Sequence, residues 1–267
     1  MPPGFRYAEI RDARIAWNQT GRGSTVIWAH GMSSRAYGQE SSGQFDWRAV
    51  SSTHRLIRYD ARGHGRSTGG ATPEEYTWPE LGADLLALLD VVAPDEPVSA
   101  IGSSMGTATL LYAALAQPDR FTRLVLTTPP TFWETRRAQI PIRLSSAELV
   151  ERSGLAALER LAIDAPASPA LAEARRFVSP VAVAPALFPP VLRGSAVSDL
   201  PDAEVLGAIR QPTRVLCWTG DDVHPVRSGE LLAAALPNAS LEVAGTPAEL
   251  RRWPGLVADF LAPLIER

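Results

Sequence analysis

The sequence predicts an α/β protein with a mostly parallel central sheet, flanking helices and an inserted helical cap. Three observations carry that expectation. Short apolar runs alternate with amphipathic segments, the order produced when parallel strands are joined by crossover helices. One run ends in Gly102-Ser103-Ser104-Met105-Gly106 and passes at once into a helical pattern. The alternation then stops between residues 131 and 206, where an Ala- and Pro-rich stretch has helical patterns and no convincing strand. The expected division is a core of residues 1–130 and 206–267, with residues 131–205 as the cap.

In chain order, residues 8–17 read as an opening hairpin. Apolar runs at 26–29, 56–59, 98–101, 124–126, 215–218 and 241–243 read as buried strands. Helical spacing covers 78–92, 108–116, 228–236 and 253–264. Pro94 and Pro97 separate the first of these from the strand at 98–101, Pro118 closes the second, and Pro237-Asn238 ends the third. Within the cap, residues 147–161 form the clearest helical pattern. An insertion at the carboxyl edge of a parallel sheet lies where ligands bind, so it is expected to roof a pocket.

Composition narrows the function. With 267 residues and 45% hydrophobic content the chain can bury a substantial core. Its 26 cationic residues balance 29 acidic ones to a net charge of −3, without runs of one sign, so neither nucleic acid nor a membrane is the expected partner. The partner expected is a small-molecule substrate. All 26 cations are arginine, which excludes Schiff-base, P-loop and pyridoxal chemistry, each of which needs a lysine amine. The motifs call for no metal and no cofactor. Cys217, the single cysteine, sits in an apolar run and reads as a small core residue. The N-terminal residues lack an apolar signal core and no run is long enough to span a bilayer, so a cytoplasmic location is expected. Composition does not indicate an oligomeric state.

Ser104 is the candidate nucleophile. Glycines two positions to either side let the backbone turn sharply from strand to helix and raise the hydroxyl beside free N–H groups of the helix start. A second Gly-x-Ser-x-Gly at Gly65-Arg66-Ser67-Thr68-Gly69 has neither flank: a glycine-broken polar stretch precedes it and Gly69-Gly70-Ala71-Thr72-Pro73 follows. Ser67 therefore reads as a turn residue. Phe132 and Trp133 follow Pro129-Pro130 just past a strand end, where Trp133 either lines the pocket or packs in the core. Trp47, Trp78 and Trp253 are expected between helices and sheet.

Taken together, Trp28-Ala29-His30-Gly31-Met32, Tyr59-Asp60-Ala61-Arg62-Gly63-His64-Gly65-Arg66-Ser67, the Ser104 turn and Thr219-Gly220-Asp221-Asp222-Val223-His224-Pro225 resemble the α/β-hydrolase family over nearly the whole chain. The resemblance implies that Gly31-Met32 forms an oxyanion loop, with the Met32 and Met105 N–H groups as donors and His30 structural. It implies that the acid lies after the strand at 215–218, at Asp221 with Asp222 as the rival. It also implies a histidine after the last strand. The sequence has none there: Gly245-Thr246-Pro247-Ala248-Glu249 takes its place, and no histidine follows His224.

Only His30, His54, His64 and His224 exist. His54 reads as exposed and His64 as a turn residue, which leaves His224, three positions after Asp221, as either the base or a pocket-lining residue. Glu249 is a poor base for a serine hydroxyl unless burial raises its pKa. The expected function is cleavage of a small or medium ester, lactone or thioester through a Ser104 acyl-enzyme. A non-hydrolytic reaction such as cyclisation, elimination or acyl transfer, or a ligand-binding pseudo-hydrolase, is the alternative.

Overall fold

A computed structural model describes residues 4–163, 168–174 and 181–262. Eight strands form one sheet in the order β1-β2-β4-β3-β5-β6-β7-β8. They are β1 (Arg6–Ile10), β2 (Ala13–Thr20), β3 (Thr25–Ala29), β4 (Arg55–Tyr59), β5 (Val98–Ser103), β6 (Phe121–Thr127), β7 (Thr213–Trp218) and β8 (Ala239–Ala244). β1 and β2 form the expected hairpin, and β2 runs antiparallel to β4; the pairs from β4 through β8 are parallel. Every residue of β3 and β5 is buried, as expected for strands covered by helices on both faces.

The expected helix at 78–92 is Trp78–Val92. The helix after the Ser104 turn is Met105–Ala116, three residues longer at its start than its apolar spacing indicates, because its first turn packs through glycine and threonine. The later helices are Val226–Ala235, beginning directly after Pro225, and Trp253–Leu261; residues 263 and 264 of the expected last helix lie outside the described residues. Among the described residues no helix is long and apolar enough to cross a membrane.

Between β6 and β7 the described residues are mainly helical: Gln139–Ser153, Leu155–Ile163 and Phe188–Val197. The single helix expected at 147–161 is broken at Gly154, whose φ of 77° is favourable for glycine and ends the first segment. Val183 adds one antiparallel bridge to His64, a strand-like contact absent from the sequence pattern. Residues 164–167 and 175–180 of the expected cap lie outside the described residues. Ala147 and Val150 pack with Phe188, Val191, Leu192 and Tyr76, and Met32 packs against this cluster. These helices thus lie against the loop after β3.

On the opposite face of the sheet, Trp28, Phe45, Trp47, Trp218 and Trp253 form an aromatic stack. Trp47, Trp78 and Trp253 are buried between helices and sheet. His54 corrects an expectation. It is 2% exposed, and its Nε2 lies 3.1 Å from the Leu261 carbonyl, because the C-terminal helix folds back over the short helix Arg48–Thr53.

Candidate active site

Ser104 sits at the tip of β5 with φ 51° and ψ −112°, a conformation that strains a non-glycine residue by about 1–3 kcal/mol. Surrounding bonds hold the turn. The Ser104 N–H donates to Thr127 O (3.1 Å), and the Thr127 hydroxyl donates to Gly102 O (2.9 Å), strapping the turn to β6. Both glycines are sterically required. A Cβ at Gly106 would meet Ala29 O at 2.0 Å, and one at Gly102 would meet Gly106 O at 2.6 Å. Ser104 occupies the N-cap position of its helix but makes no side-chain cap, so its hydroxyl is turned elsewhere.

That hydroxyl meets His224. Ser104 Oγ lies 2.8 Å from His224 Nε2, and His224 Nδ1 lies 2.9 Å from Asp221 Oδ2. With Nδ1–H donating to the carboxylate, Nε2 is the acceptor for the serine proton. Asp221 and His224 belong to one loop. Asp221 Oδ1 accepts from the backbone N–H groups of Val223 (3.0 Å) and His224 (3.1 Å), a local turn that swings the imidazole back over β5. Gly220, with φ 70°, opens that loop. Asp221 Oδ2 also accepts the indole N–H of Trp218 at 2.8 Å.

Burial pushes the Asp221 carboxyl up, but the hydrogen bond and charge of His224, then Trp218 and the His224 N–H, outweigh it. The net effect holds Asp221 well below the usual carboxylate range. Asp222 is exposed, and among the described residues only its backbone oxygen is engaged, by Gln139 Nε2 at 3.5 Å. The helix starting at Val226 has no side-chain cap, so Asp221 does not serve that purpose.

The loop after β3 faces this array. Gly31 and Ser34 close a turn (Ser34 N to Gly31 O, 3.1 Å), with Ser33 at φ 68°. Among the described residues the N–H groups of Met32 and Met105 have no protein acceptor. His30 is buried, with Nδ1–H donating to Gly31 O (2.8 Å) and Nε2 accepting from Ala61 N–H (3.0 Å). Burial pushes its pKa down to about 4, although the bond to Gly31 opposes the shift, so it is a neutral strut under the loop.

The other singled-out residues have separate tasks. Ser67 Oγ donates to Asp60 O (2.6 Å) and accepts from Ala16 N–H (2.9 Å), a buried turn anchor. His64 is buried and donates from Nδ1 to Arg62 O (2.8 Å). Glu249 Oε2 accepts from Gly245 N–H, Thr246 N–H and the Thr246 hydroxyl, bonds that keep its pKa low; it caps its own short helix, Pro247–Leu250. Trp133 Nε1–H points to the carbonyls of Leu200 and Pro201 (3.2 Å each), and its ring packs edge-on to Phe132 and against the main core. Its contacts are those of an anchor for the start of the inserted helices.

Sequence reasoning missed two supports. Gln39 Oε1 accepts from Gly31 N–H (2.8 Å) while its Nε2–H donates to Ser103 Oγ (2.9 Å), tying the loop after β3 to the end of β5. No motif marks it. Trp218 is the second, and its place three residues before Asp221 was the available signal.

A family model described as "alpha/beta hydrolase fold" matches residues 25–161. Human mitochondrial palmitoyl-protein thioesterase ABHD10 is 34% identical over 103 residues, 38% of this chain and 32% of that protein. 3-oxoadipate enol-lactonase 1 of Acinetobacter baylyi is 29% identical over 202 residues, 73% of this chain and 72% of that one. The chain thus spans about a third of the length of the first curated relatives it matches. A hydrolase structure from Pseudomonas aeruginosa superposes with a TM-score of 0.80 at 24% identity, covering 98% of this chain and all of that one.

Proposed function

Because the chain belongs to the alpha/beta hydrolase fold family, we propose that it is a serine hydrolase that cleaves a small or medium ester, lactone or thioester through a Ser104 acyl-enzyme. One observation carries the proposal: Ser104 Oγ, His224 Nε2, His224 Nδ1 and Asp221 Oδ2 form an unbroken hydrogen-bonded line of 2.8 and 2.9 Å. His224 is the base in this reading. It does the work that the resemblance implies for a histidine after β8, from a position on the β7 loop beside its acid.

In the first step Ser104 Oγ attacks the substrate carbonyl carbon while its proton passes to His224 Nε2. Asp221 stabilises the imidazolium so formed. The carbonyl oxygen takes the negative charge, and the Met32 and Met105 N–H groups, free of protein acceptors among the described residues, are its donors; each such donor is worth about 3 kcal/mol in the transition state. Collapse of the adduct expels the alcohol or thiol, which takes the proton from Nε2. Water then attacks the acyl-enzyme, gives its proton to Nε2, and Ser104 leaves with it. The helices inserted between β6 and β7, within residues 131–205, serve as the cap that shields the site.

Fluorophosphonate labelling followed by intact-mass analysis tests the nucleophile. One adduct on the wild type that vanishes in Ser104→Ala is the expected result. A wild type that stays unlabelled, or a Ser104→Ala variant that retains ester turnover, overturns the proposal and favours non-hydrolytic chemistry or simple binding.

A further inference from the structure

The helix Gln139–Ser153 bears a buried stripe at Ala147 and Val150, and Arg143 lies one turn before Ala147 on the same face. The first two turns of that helix touch the two loops that flank Ser104. Gln139, one turn earlier, reaches the backbone of Asp222 on the loop of His224 (3.5 Å). Arg143 Nη1 lies 3.8 Å from Met32 Sδ, on the loop that supplies the proposed oxyanion donor. The guanidinium therefore sits against the oxyanion loop, one turn along the helix from the residue that touches the loop of His224.

Its hydrogen-bonding capacity is unspent there. Nε is shielded from solvent and has no acceptor among the described residues, and the thioether facing Nη1 is a weak one. Arg136 adds a second positive charge beneath the same helices. It is 1% exposed, stacks on Trp78 at 4.6 Å, and among the described residues bonds only to neutral groups, such as the carbonyls of Thr131 and Ser198. Burial pushes the Arg136 pKa down to about 10, the charge of Arg143 pushes the same way, and Asp199 opposes them. Burial lowers Arg143 too, and no acidic neighbour offsets it among the described residues. A desolvated guanidinium without a counter-ion is costly, and the group that matches its planar donor edge is a carboxylate.

We propose that Arg143 is a specificity-determining residue that binds a carboxylate of the substrate, so that the preferred esters, lactones or thioesters carry a free carboxylate on the side facing Met32. This rests on the hydrolase reading above. The guanidinium edge presents parallel N–H donors to both carboxylate oxygens and fixes the scissile carbonyl toward the Met32 and Met105 N–H groups.

The test compares p-nitrophenyl hydrogen adipate with p-nitrophenyl hexanoate, esters of equal chain length that differ in one carboxylate. The wild type is expected to favour the anionic ester in kcat/KM by roughly ten- to hundredfold, the range of a charge-assisted hydrogen bond. In Arg143→Met, which keeps length and packing, that ratio falls toward unity, chiefly through KM; in Arg143→Lys it is intermediate. A ratio unchanged in Arg143→Met, or a wild type that favours hexanoate, overturns the proposal. Calorimetric titration of Ser104→Ala with levulinate and with methyl propyl ketone separates recognition from chemistry. Arg143-dependent levulinate binding without ester turnover supports the carboxylate site and sinks the hydrolase reading. Ester turnover indifferent to Arg143 does the reverse.

Discussion

Asp221 divides its two oxygens between structure and the proposed chemistry: Oδ1 shapes the loop through the Val223 and His224 N–H groups, while Oδ2 receives His224 Nδ1–H and Trp218 Nε1–H. Asp221→Asn preserves the size of the side chain but offers an amide where Oδ2 accepts two donors. A fall in kcat of roughly 10³–10⁴ is expected with folding retained, measured on a p-nitrophenyl ester beside a circular-dichroism melt. Trp218→Phe keeps an aromatic ring in the stack with Phe45 and Trp253 and removes only the donor to Asp221. Hydrogen bonds to charged groups contribute about 1.5–3 kcal/mol, so a drop in kcat of about tenfold or more is expected with KM little changed. An unaltered kcat would assign the indole to packing alone. Ser104 was legible in the sequence because glycine spacing leaves a local mark, and Asp221, with Asp222 as its rival, because the segment after β7 resembles the family's acid loop. His224 was legible only as a choice between base and pocket-lining residue, since its reach from the β7 loop to the tip of β5 depends on how the seven residues between Trp218 and Val226 fold in space.

At the scale of elements, the strand-to-helix turn is set by how closely its backbone packs. Gly106→Ala would drive a methyl into Ala29 O of β3, backbone against backbone, so β3 and the helix Met105–Ala116 must separate. Loss of more than about 2 kcal/mol is expected in urea unfolding, or failure to fold. Gly255 is the control: it lies in the helix Trp253–Leu261 with nothing within 4 Å of an added Cβ. Gly255→Ala is expected to stabilise by about 0.5 kcal/mol through helix propensity and reduced unfolded-state freedom. Equal effects of the two substitutions would contradict the steric account. Strand identities were legible because short apolar runs suit a sheet covered on both sides, as at residues 26–29 of β3 and 215–218 of β7. Polar positions near the ends of elements were harder. His54 reads as exposed from its neighbours and is buried only because Leu261, some two hundred residues later, brings a carbonyl to it. Arg143 reads as one cation among many until the helix that bears it is laid over Met32.

For the whole molecule, two buried imidazoles tie stability to pH. Burial pushes His30 down to about 4; it pushes His64 down to about 3, with the neighbouring His30, 5.2 Å away between ring centroids, adding to the shift. An unfolded histidine titrates near 6.5, so between about pH 6.5 and 4 the unfolded chain holds protons that the native chain does not. Stability is full above that window and falls as the pH drops through it. Urea unfolding at about pH 7 and about pH 5 should differ by about 2 kcal/mol per histidine, and a flat profile would contradict neutral buried rings. The same sheet that buries these rings brings the ends of β3, β5 and β7 to one edge, where the Met32 loop, Ser104 and the Asp221–His224 loop meet. The central claim is that one loop supplies both acid and base to Ser104. Pre-steady-state release of p-nitrophenolate by His224→Ala measures it directly, because the burst reports acylation of Ser104 alone. The expected result is an acylation rate lower than that of the wild type by about 10³ or more, with Ser104 still present and the fold intact; a burst as fast as that of the wild type would contradict the assignment of His224 as the base.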